Sequence, residues 1–391
     1  MFHAVNLTSR PKLMMIHVLT GLIFVYALIR LILPSPLNGK IKLPAAVLLL
    51  LVSQQHALIR YAFGSMASPE LPVPLLLVSG WSFASLLFLF LLLLVQDALL
   101  LLRRLIRGAR KRANPPFSQG RRQAIVAAMA ILPAAYGVRQ GIVVPQVHHV
   151  EARLPRLPRE LDGLTLVQIS DLHVSPLLQE PRVRAVVDKV NALEPDLIIF
   201  TGDTVDGMPE RRAGSVAPLQ DLRARYGIFG CAGNHEYYGD YAAWMRTFPA
   251  LGLTMLLNSH TVLKVRGTDL VVAGVTDMAA ERFFLPGPDI GQALSGAPED
   301  AVRILLDHRP GNAPENAKTG VDLQLSGHTH GGQILGMNQL VARFNQGFLY
   351  GWYQVDKMLL YVSSGAGLWN GFPVRLGVPS EIVRFVLRSA V

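Results

Sequence analysis

The chain has 391 residues, of which 51% are hydrophobic, a high proportion for a wholly soluble protein. The first 150 residues hold 15 of the 37 Lys and Arg residues and only two acids, Glu70 and Asp97, so the net charge of +10 belongs to this N-terminal part. The remainder, with 22 basic and 25 acidic side chains, argues against a general nucleic-acid-binding protein, and the single cysteine, Cys231, excludes an intramolecular disulfide and a cysteine-based zinc site.

Four apolar runs within residues 1–144 predict a transmembrane region of about four helices. The runs cover residues 13–33, 43–62, 71–102 and 124–144, and each is about long enough to cross a bilayer as a helix. The second and fourth runs are weaker because polar residues or a proline interrupt them: Gln54, Gln55, His56 and Arg60 in the second, Pro133 and Arg139 in the fourth.

The distribution of basic residues predicts the orientation of these helices. The segment between the third and fourth runs carries eight Lys and Arg residues, namely Arg103, Arg104, Arg107, Arg110, Lys111, Arg112, Arg121 and Arg122. Because such loops stay in the cytoplasm, we expect the chain after about residue 145 on the extracytoplasmic side of the membrane. Arg121 and Arg122 also fit a twin-arginine export signal, although membership of the basic loop explains them more simply. Both interpretations send the C-terminal part outward.

The rest of the chain reads as a linker over residues 145–162 and a soluble domain over residues 163–391. The linker contains Pro155, Pro158 and alternating charges. In the domain, predicted strands alternate with predicted helices, which implies a largely parallel sheet with crossover helices. The predicted strands are 164–170, 196–201, 228–232, 270–275, 302–306 and 321–325, and the predicted helices are 182–193 and 218–226.

Residue types that bind metals follow five of these strands. The five blocks are Asp171-Leu172-His173, Gly202-Asp203-Thr204-Val205-Asp206, Gly233-Asn234-His235-Glu236, Asp307-His308 and Gly327-His328-Thr329-His330. Each block alone is an ordinary polar turn. The carboxyl ends of parallel strands meet at one edge of a sheet, however, so five such blocks in succession predict a shared metal site.

The donor atoms of these blocks indicate which ions bind. The set combines nitrogen and oxygen without sulfur, which favours Mn, Fe, Zn or Co over Ca²⁺ and Mg²⁺. Two such divalent first-row ions about 3.5–4 Å apart suit in-line displacement at phosphorus. One carboxylate would bridge the ions, and a hydroxide between them would be the nucleophile.

The ordered blocks resemble the calcineurin-like metallophosphoesterase superfamily over about residues 163–387. The extensions Ser170–Ser175, Gly233–Tyr238 and His328–Gln333 and the tail with Ser364–Gly367 and Arg375 look most like the bacterial membrane-associated phosphodiesterase branch. The resemblance implies an α/β fold, an αββα sandwich of two mixed sheets, here preceded by about four transmembrane helices.

The resemblance also implies a role for each site residue. Asp171, His173 and His330 would hold the first metal ion, Asn234, His308 and His328 the second, and Asp203 would bridge them. His235 would protonate the leaving group or steady the phosphoryl oxygens. Asp206 would orient His235 or a neighbouring loop, Glu236 is as well explained by a structural as by a catalytic role, and Arg375 would contact a phosphate or form a structural salt bridge.

These features predict a membrane-anchored, metal-dependent phosphoesterase or phosphodiesterase. Because the tether raises the local concentration of an amphipathic substrate, a phospholipid or a lipid-linked pyrophosphate is the leading substrate class, with the bilayer as partner. Some members of the resembling branch cleave UDP-2,3-diacylglucosamine, but that substrate is cytosolic, which conflicts with the predicted topology. A non-catalytic membrane sensor or scaffold and a nuclease are the alternatives. Tyr237, Tyr238, Trp352, Trp369 and Phe372 would form an apolar rim or belong to the core.

Overall fold

A computed structural model describes residues 10–63, 68–107 and 119–389. Contacts between residues divide the chain into two units, Met1–Arg139 and Gln140–Val391. The domain boundaries at residues 144 and 162 stay a prediction. Arg110, Lys111 and Arg112 of the basic loop lie outside the described residues.

The N-terminal unit is built from long apolar helices. The helices are α1 (Arg10–Ala27), continued by a π-helix (Leu28–Ile32), α2 (Gly39–Phe63), α3 (Val73–Arg107) and α4 (Gln119–Ile142). Three stretches of the described residues are long and apolar enough to cross a membrane: Gly39–Phe63, Val73–Ile106 and Ile125–Ile142. The first predicted run forms a shorter apolar helix, His17–Ile32. Three of the predicted crossings are therefore confirmed as long apolar helices.

Polar residues that weaken the second predicted span pair with other helices of this unit. Gln54 Nε2 donates to Thr20 Oγ1 over 3.2 Å, and Gln55 Nε2 donates to the Ser79 carbonyl over 2.9 Å. The ring of His56 is buried and lies 4.3 Å from the ring of Phe83. Paired in this way, polar side chains are tolerated in an apolar helix, which explains why the interrupted run remains helical.

The C-terminal unit contains two six-stranded mixed sheets. The strands are β1 (Gln146–Leu154), β2 (Thr165–Ile169), β3 (Leu197–Thr201), β4 (Ile228–Cys231), β5 (Thr254–Met255), β6 (Ser259–Val265), β7 (Thr268–Gly274), β8 (Val302–Leu306), β9 (Leu323–Ser326), β10 (Gly351–Val355), β11 (Met358–Val362) and β12 (Glu381–Ser389). The first sheet has the order β1-β12-β2-β3-β4-β5, and the second has the order β10-β11-β9-β8-β7-β6. The α/β fold with two mixed sheets is confirmed.

Strand β1 lies in the segment that the sequence predicts to be a linker. It pairs in parallel with β12 along its whole length, from Gln146 opposite Glu381 to Leu154 opposite Ser389. Ala152 and Leu154 are buried, while His148, His149 and Glu151 are exposed. Such polarity is typical of an edge strand, so residues 146–154 belong to the sheet and the linker prediction for them is wrong.

The C-terminal unit also contains α-helices, several of which cover the outer faces of the two sheets. They are α5 (Glu180–Asn191), α6 (Pro209–Val216), α7 (Asn234–Tyr238), α8 (Tyr241–Ala250), α9 (Ile290–Ala293), α10 (Ala313–Asn316) and α11 (Asn338–Phe344). In β3, Leu197 and Ile199 belong to one core cluster with β8 and β9 of the second sheet, while Ile198 and Phe200 belong to another with α5 and α8. Strands apolar on both faces therefore form the two inner layers, and helices form the outer ones.

Candidate metal centre

The five predicted blocks come together at the carboxyl ends of strands from both sheets. In the first sheet, Asp171, Asp203 and Asn234 follow β2, β3 and β4, and in the second sheet His308 and His328 follow β8 and β9. Backbone hydrogen bonds join the turns, for example from Asp171 N to the Gly202 carbonyl over 3.1 Å and from Gly327 N to the His308 carbonyl over 2.9 Å. The polar turns therefore surround one site.

Five predicted metal ligands have left-handed backbone conformations. The φ angles are 51° at Asp171, 48° at His173, 51° at Asp203, 70° at His328 and 49° at His330. This region is uncommon for residues other than glycine and costs about 1–3 kcal/mol per residue. Such strain persists where the surrounding structure imposes it, and its concentration here indicates a functional site.

Among the described residues, the side chains of the predicted site form three overlapping groups. The groups are Asp171, His173 and His330; His173, Asp203 and His235; and Asp203, His308 and His328, with the donor atoms of each group within 4.8 Å of one another. In the first group, the Nε2 atoms of His173 and His330 are 3.2 Å apart, and His330 Nε2 lies 3.5 Å from Asp171 Oδ1. Ligands of a tetrahedral ion lie about 3.4 Å apart, so these spacings fit a shared ion.

Two histidines are oriented by hydrogen bonds through their Nδ1 atoms. His173 Nδ1 lies 3.1 Å from Asp206 Oδ1, and His308 Nδ1 donates to the Thr201 carbonyl over 2.8 Å. When the imidazole is neutral, this pattern leaves Nε2 as the atom with the lone pair. Within the described part of the chain, the buried Nε2 atom of His308 has no partner with hydrogen-bond geometry, and it faces Asp203 Oδ2 at 3.2 Å. A buried imidazole nitrogen of this kind fits a metal ligand.

Asp203 lies between the groups, as its predicted bridging role requires. Its Oδ2 atom is 3.8 Å from His173 Nε2 and 3.2 Å from His308 Nε2. Burial by itself would raise the pKa of Asp203, but the charges of His308, His235 and His173 hold it well below its usual value. Asp203 is therefore a carboxylate that can face two cations at once.

The electrostatics of the site keep His328 and His330 neutral. Burial and the positive neighbours Arg309 and His308 hold the pKa of His328 well below its usual value. Burial and the positive neighbours His173 and Arg375 do the same for His330. Neutral imidazoles are the form that binds metal ions.

Asp206 and His235 form a second, buried pair beside the predicted ligands. Burial by itself would raise the pKa of Asp206, but His173 and His235 lower it to about 2. Burial would lower the pKa of His235, but Asp203 and Asp206 raise it to about 9. His235 Nε2 lies 4.0 Å from Asp203 Oδ2, and its ring is 5.1 Å from that of Tyr238. The imidazolium can thus serve as an acid at the edge of the metal groups.

The structure shows the surroundings of Glu236 and Arg375, whose roles the sequence left open. Glu236 is buried and accepts hydrogen bonds from the backbone nitrogens of Gly233 (2.7 Å), Asp203 (3.1 Å) and Thr204 (2.7 Å). Arg375 is fully buried and donates to the Ser364, Gly365 and Gly367 carbonyls over 2.6, 3.2 and 2.9 Å. Both residues brace the turns of the site. Arg375 forms no salt bridge within the described part of the chain, and its contact with a phosphate stays a prediction.

Arg309 is a site residue that the sequence analysis missed. Its guanidinium donates to Asp277 Oδ2 over 2.7 Å and to Asn234 Oδ1 over 2.9 Å, and its Nη1 lies 3.0 Å from His328 Nε2. Asn234 and His328 thus contact the same side chain. The available signal was the position of this arginine directly after the strand-end residue His308.

Comparisons with known proteins identify the family. Residues 164–332 match the family model described as calcineurin-like phosphoesterase. The chain is 33% identical over 300 residues to a transmembrane protein with metallophosphoesterase domain from Danio rerio, an alignment that covers 74% of this chain and 68% of that protein. It is 30% identical over 291 residues to an uncharacterized metallophosphoesterase from Bacillus subtilis, covering 72% of this chain and 99% of the relative.

One solved structure is that of a calcineurin-like phosphoesterase from Bacillus subtilis, which aligns with a TM-score of 0.35 and 16% identity over 52% of this chain and 82% of that one. The relative from Danio rerio is named as a transmembrane protein, in agreement with the long apolar helices found here. The matched segment, 164–332, contains all five blocks of the site. The chain therefore belongs to the calcineurin-like phosphoesterase family of dimetal-dependent phosphoester hydrolases.

Proposed function

We propose that this protein is a membrane-anchored phosphodiesterase that holds two divalent first-row metal ions and hydrolyses a phosphoester or pyrophosphate bond of a lipid-linked substrate. The observation that carries the proposal is the group of imidazoles and carboxylates at the strand ends of both sheets. In the proposed assignment, Asp171, His173 and His330 hold the first ion, Asn234, His308 and His328 the second, and Asp203 both. The mixed nitrogen and oxygen donors favour Mn, Fe, Zn or Co.

Ions bound at these residues would activate water and neutralise charge on the phosphoryl group. The remaining chemistry belongs to the chain itself. His235 is held through Nδ1 by Asp206, so its Nε2 proton is available for the departing oxygen of the substrate. Asp206 retains its charge throughout and stabilises the imidazolium. Glu236 holds the backbone of the Asp203 turn in place.

Exposed apolar side chains near the site support a lipid-linked substrate. The 3-10 helix Met278–Phe283 packs against α7, which carries His235, and the next residue, Phe284, is 93% exposed. On α11, which is joined to the Gly331 carbonyl by Asn338 Nδ2 over 3.3 Å, Phe344 is 80% exposed. Such large exposed apolar side chains suit contact with lipid acyl chains, and the exposed neighbours Arg282 and Arg343 suit anionic headgroups.

These exposed residues differ from the apolar rim that the sequence suggested. Of that set, Tyr237 and Phe372 are buried, and Trp352 contacts the core rings of Tyr361 and Phe385 at 4.9 and 5.7 Å. Tyr238 is 43% exposed and lies beside His235. Core packing is therefore the correct alternative for Tyr237 and Phe372, while Trp352 is 36% exposed.

The proposed location is the bacterial inner membrane, with the catalytic domain on the periplasmic side. Arg103, Arg104 and Arg107, just after the third apolar run, support a cytoplasmic loop there. A lipid-linked diphosphate or phosphodiester of the cell envelope fits this orientation. Hydrolysis of UDP-2,3-diacylglucosamine ranks second, because it requires the catalytic domain to have the opposite orientation, on the cytoplasmic side.

The test uses the full chain, purified in detergent, chelated and refilled with Mn²⁺, with bis-(p-nitrophenyl) phosphate as substrate. We expect turnover that depends on the metal and disappears in Asp203→Asn. Asp188→Asn, which changes an exposed aspartate on α5, should behave as wild type. A folded, metal-loaded protein that is inactive with every first-row ion would instead indicate a non-catalytic sensor or scaffold.

A further inference from the structure

Arg309 contacts two of the three residues that are assigned only to the second metal ion. Its Nη2 donates to Asn234 Oδ1 over 2.9 Å, and its Nη1 lies 3.0 Å from His328 Nε2. The third nitrogen, Nε, donates to Asp277 Oδ2 over 2.7 Å, and the carboxylate of Asp277 is fully buried. Asp277 therefore holds the guanidinium in place on one side. On the other side, the positively charged group contacts Asn234 and His328, two ligands of the second ion.

The contact with His328 excludes metal binding by the same imidazole. Arginine only donates hydrogen bonds, so His328 Nε2 must accept from it with the single lone pair of that nitrogen. An ion bound at Nε2 would need this lone pair. An ion bound at Nδ1 would leave Nε2 protonated and facing another donor. In either case the bond between Arg309 and His328 must break before His328 can bind a metal ion.

Charge acts in the same direction as this geometry. The guanidinium stays protonated at all accessible pH values, and like charges at contact distance repel strongly in a buried site. The first-ion group has a different arrangement, since the Nε2 atoms of His173 and His330 face each other at 3.2 Å beside Asp171. Arg375 approaches His330 at Nδ1, over 3.4 Å, and this contact leaves Nε2 facing the site. The two halves of the site therefore differ in how readily they accept a cation.

We propose that Arg309 competes with the second metal ion for His328 and Asn234, so that the two metal positions fill with different affinities. The first ion binds tightly to Asp171, His173, Asp203 and His330. The second ion binds more weakly, because it must displace the guanidinium from His328. This inference rests on the metal assignments of the proposed function. It implies that the concentration of free metal determines what fraction of the enzyme holds both ions.

The experiment measures metal binding rather than activity. Mn²⁺ is titrated into the chelated full-length protein in detergent, with calorimetry for the two dissociation constants and electron paramagnetic resonance for the spin-coupled metal pair. We compare wild type with Arg309→Gln, Arg309→Lys and the control Arg246→Gln, which removes an exposed charge from α8. Arg309→Gln should lower the second dissociation constant by about tenfold and leave the first unchanged. Arg309→Lys keeps the cation and should stay nearer to wild type.

A second variant guards against a folding defect. Arg309→Gln leaves the Asp277 carboxylate buried without its cation, so the double variant Arg309→Gln/Asp277→Asn removes both charges and should show the same gain in second-ion affinity. Equal affinities for both ions in wild type, or an unchanged second dissociation constant in both glutamine variants, would overturn the inference. Absence of tight Mn²⁺ binding in every protein would instead reject the metal assignments and with them the proposed function.

Discussion

The Nδ1 atom of His235 donates a hydrogen bond of 2.5 Å to Asp206 Oδ1. The same carboxylate oxygen lies 3.1 Å from Nδ1 of His173, so one aspartate orients both a predicted metal ligand and the proposed acid. Asp206 is completely buried, and neither histidine can turn without losing this contact. The pair therefore connects the proposed proton donor to the proposed first metal position.

Substitution of Asp206 by Asn should show whether Asp206 acts mainly through His235 or through His173. The amide keeps the shape but loses the charge that stabilises the His235 imidazolium, so kcat should fall by about 10²-fold for a phosphodiester with an aliphatic leaving group. Bis-(p-nitrophenyl) phosphate, whose leaving group departs without a proton, should be affected much less. Equal losses on both substrates would show that Asp206 acts through His173 instead, and Asp188→Asn serves as the matched control.

Replacement of Gly327 by Ala should disrupt the first metal position. A Cβ atom at this residue would lie 1.9 Å from Ser170 Oγ and 2.2 Å from Asp171 Oδ2, so the Asp171 carboxylate must move. We expect binding of the first Mn²⁺ to weaken by about 10–100-fold, as for other losses of ligand positioning. Gly214→Ala on α6, where a Cβ meets nothing within 4 Å, should bind Mn²⁺ as wild type. Unchanged affinity in Gly327→Ala would exclude Asp171 as a ligand.

Chelated protein should lose stability as the pH rises. Burial lowers the pKa values of His235 and His308, but nearby carboxylates raise them to about 9 and about 10. Because these pKa values exceed the unfolded value of 6.5, the stabilisation is complete below pH 6.5 and is lost as the pH rises through about 9 to 10.

Thermal unfolding of the EDTA-treated full chain between pH 6.5 and pH 10 measures this loss, with an expected decrease in Tm of about 5 °C. Mn²⁺ replaces the positive charge of the lost protons and should reduce the decrease. A chelated protein whose Tm does not fall over this range would contradict the charge arrangement described here.

The exposed phenylalanines test the lipid-linked substrate. Phe284→Ser/Phe344→Ser should raise KM for a phosphodiester lipid in mixed micelles by about tenfold, because each ring contributes apolar contact with the acyl region. The kinetic constants for soluble bis-(p-nitrophenyl) phosphate should not change. Val262→Ser, at an exposed apolar residue of β6, controls for a general loss of surface hydrophobicity. A parallel loss on both substrates would argue against lipid contact by these two side chains.

The residues of the site were predictable because local rules place them. An apolar strand followed by Asp171 or Asp203 predicts a polar turn at the carboxyl end of that strand, and parallel pairing brings such turns to one edge. The long apolar runs predicted helices for a similar reason, since burial of backbone polar groups in lipid requires them. Both inferences depend only on residues that are close together in the sequence.

Other features were decided by contacts between distant parts of the chain. Strand β1 looked like a linker because its polar residues are those of an edge strand, and only pairing with β12 makes it part of the sheet. Glu236 and Arg375 could not be assigned from their own sequence surroundings, since their partners are backbone groups of other turns.

The contacts of the Arg309 side chain show this dependence on distant residues most clearly. The neighbouring residue, His308, was recognisable from the sequence. The contact between Arg309 and Asn234, however, joins residues 75 positions apart, on turns of different sheets. The sequence by itself determined which residue types stand at the strand ends. Only the tertiary structure decided which of them share a charge environment, because hydrogen bonds and charge repulsion depend on distances in space that the order of residues does not contain.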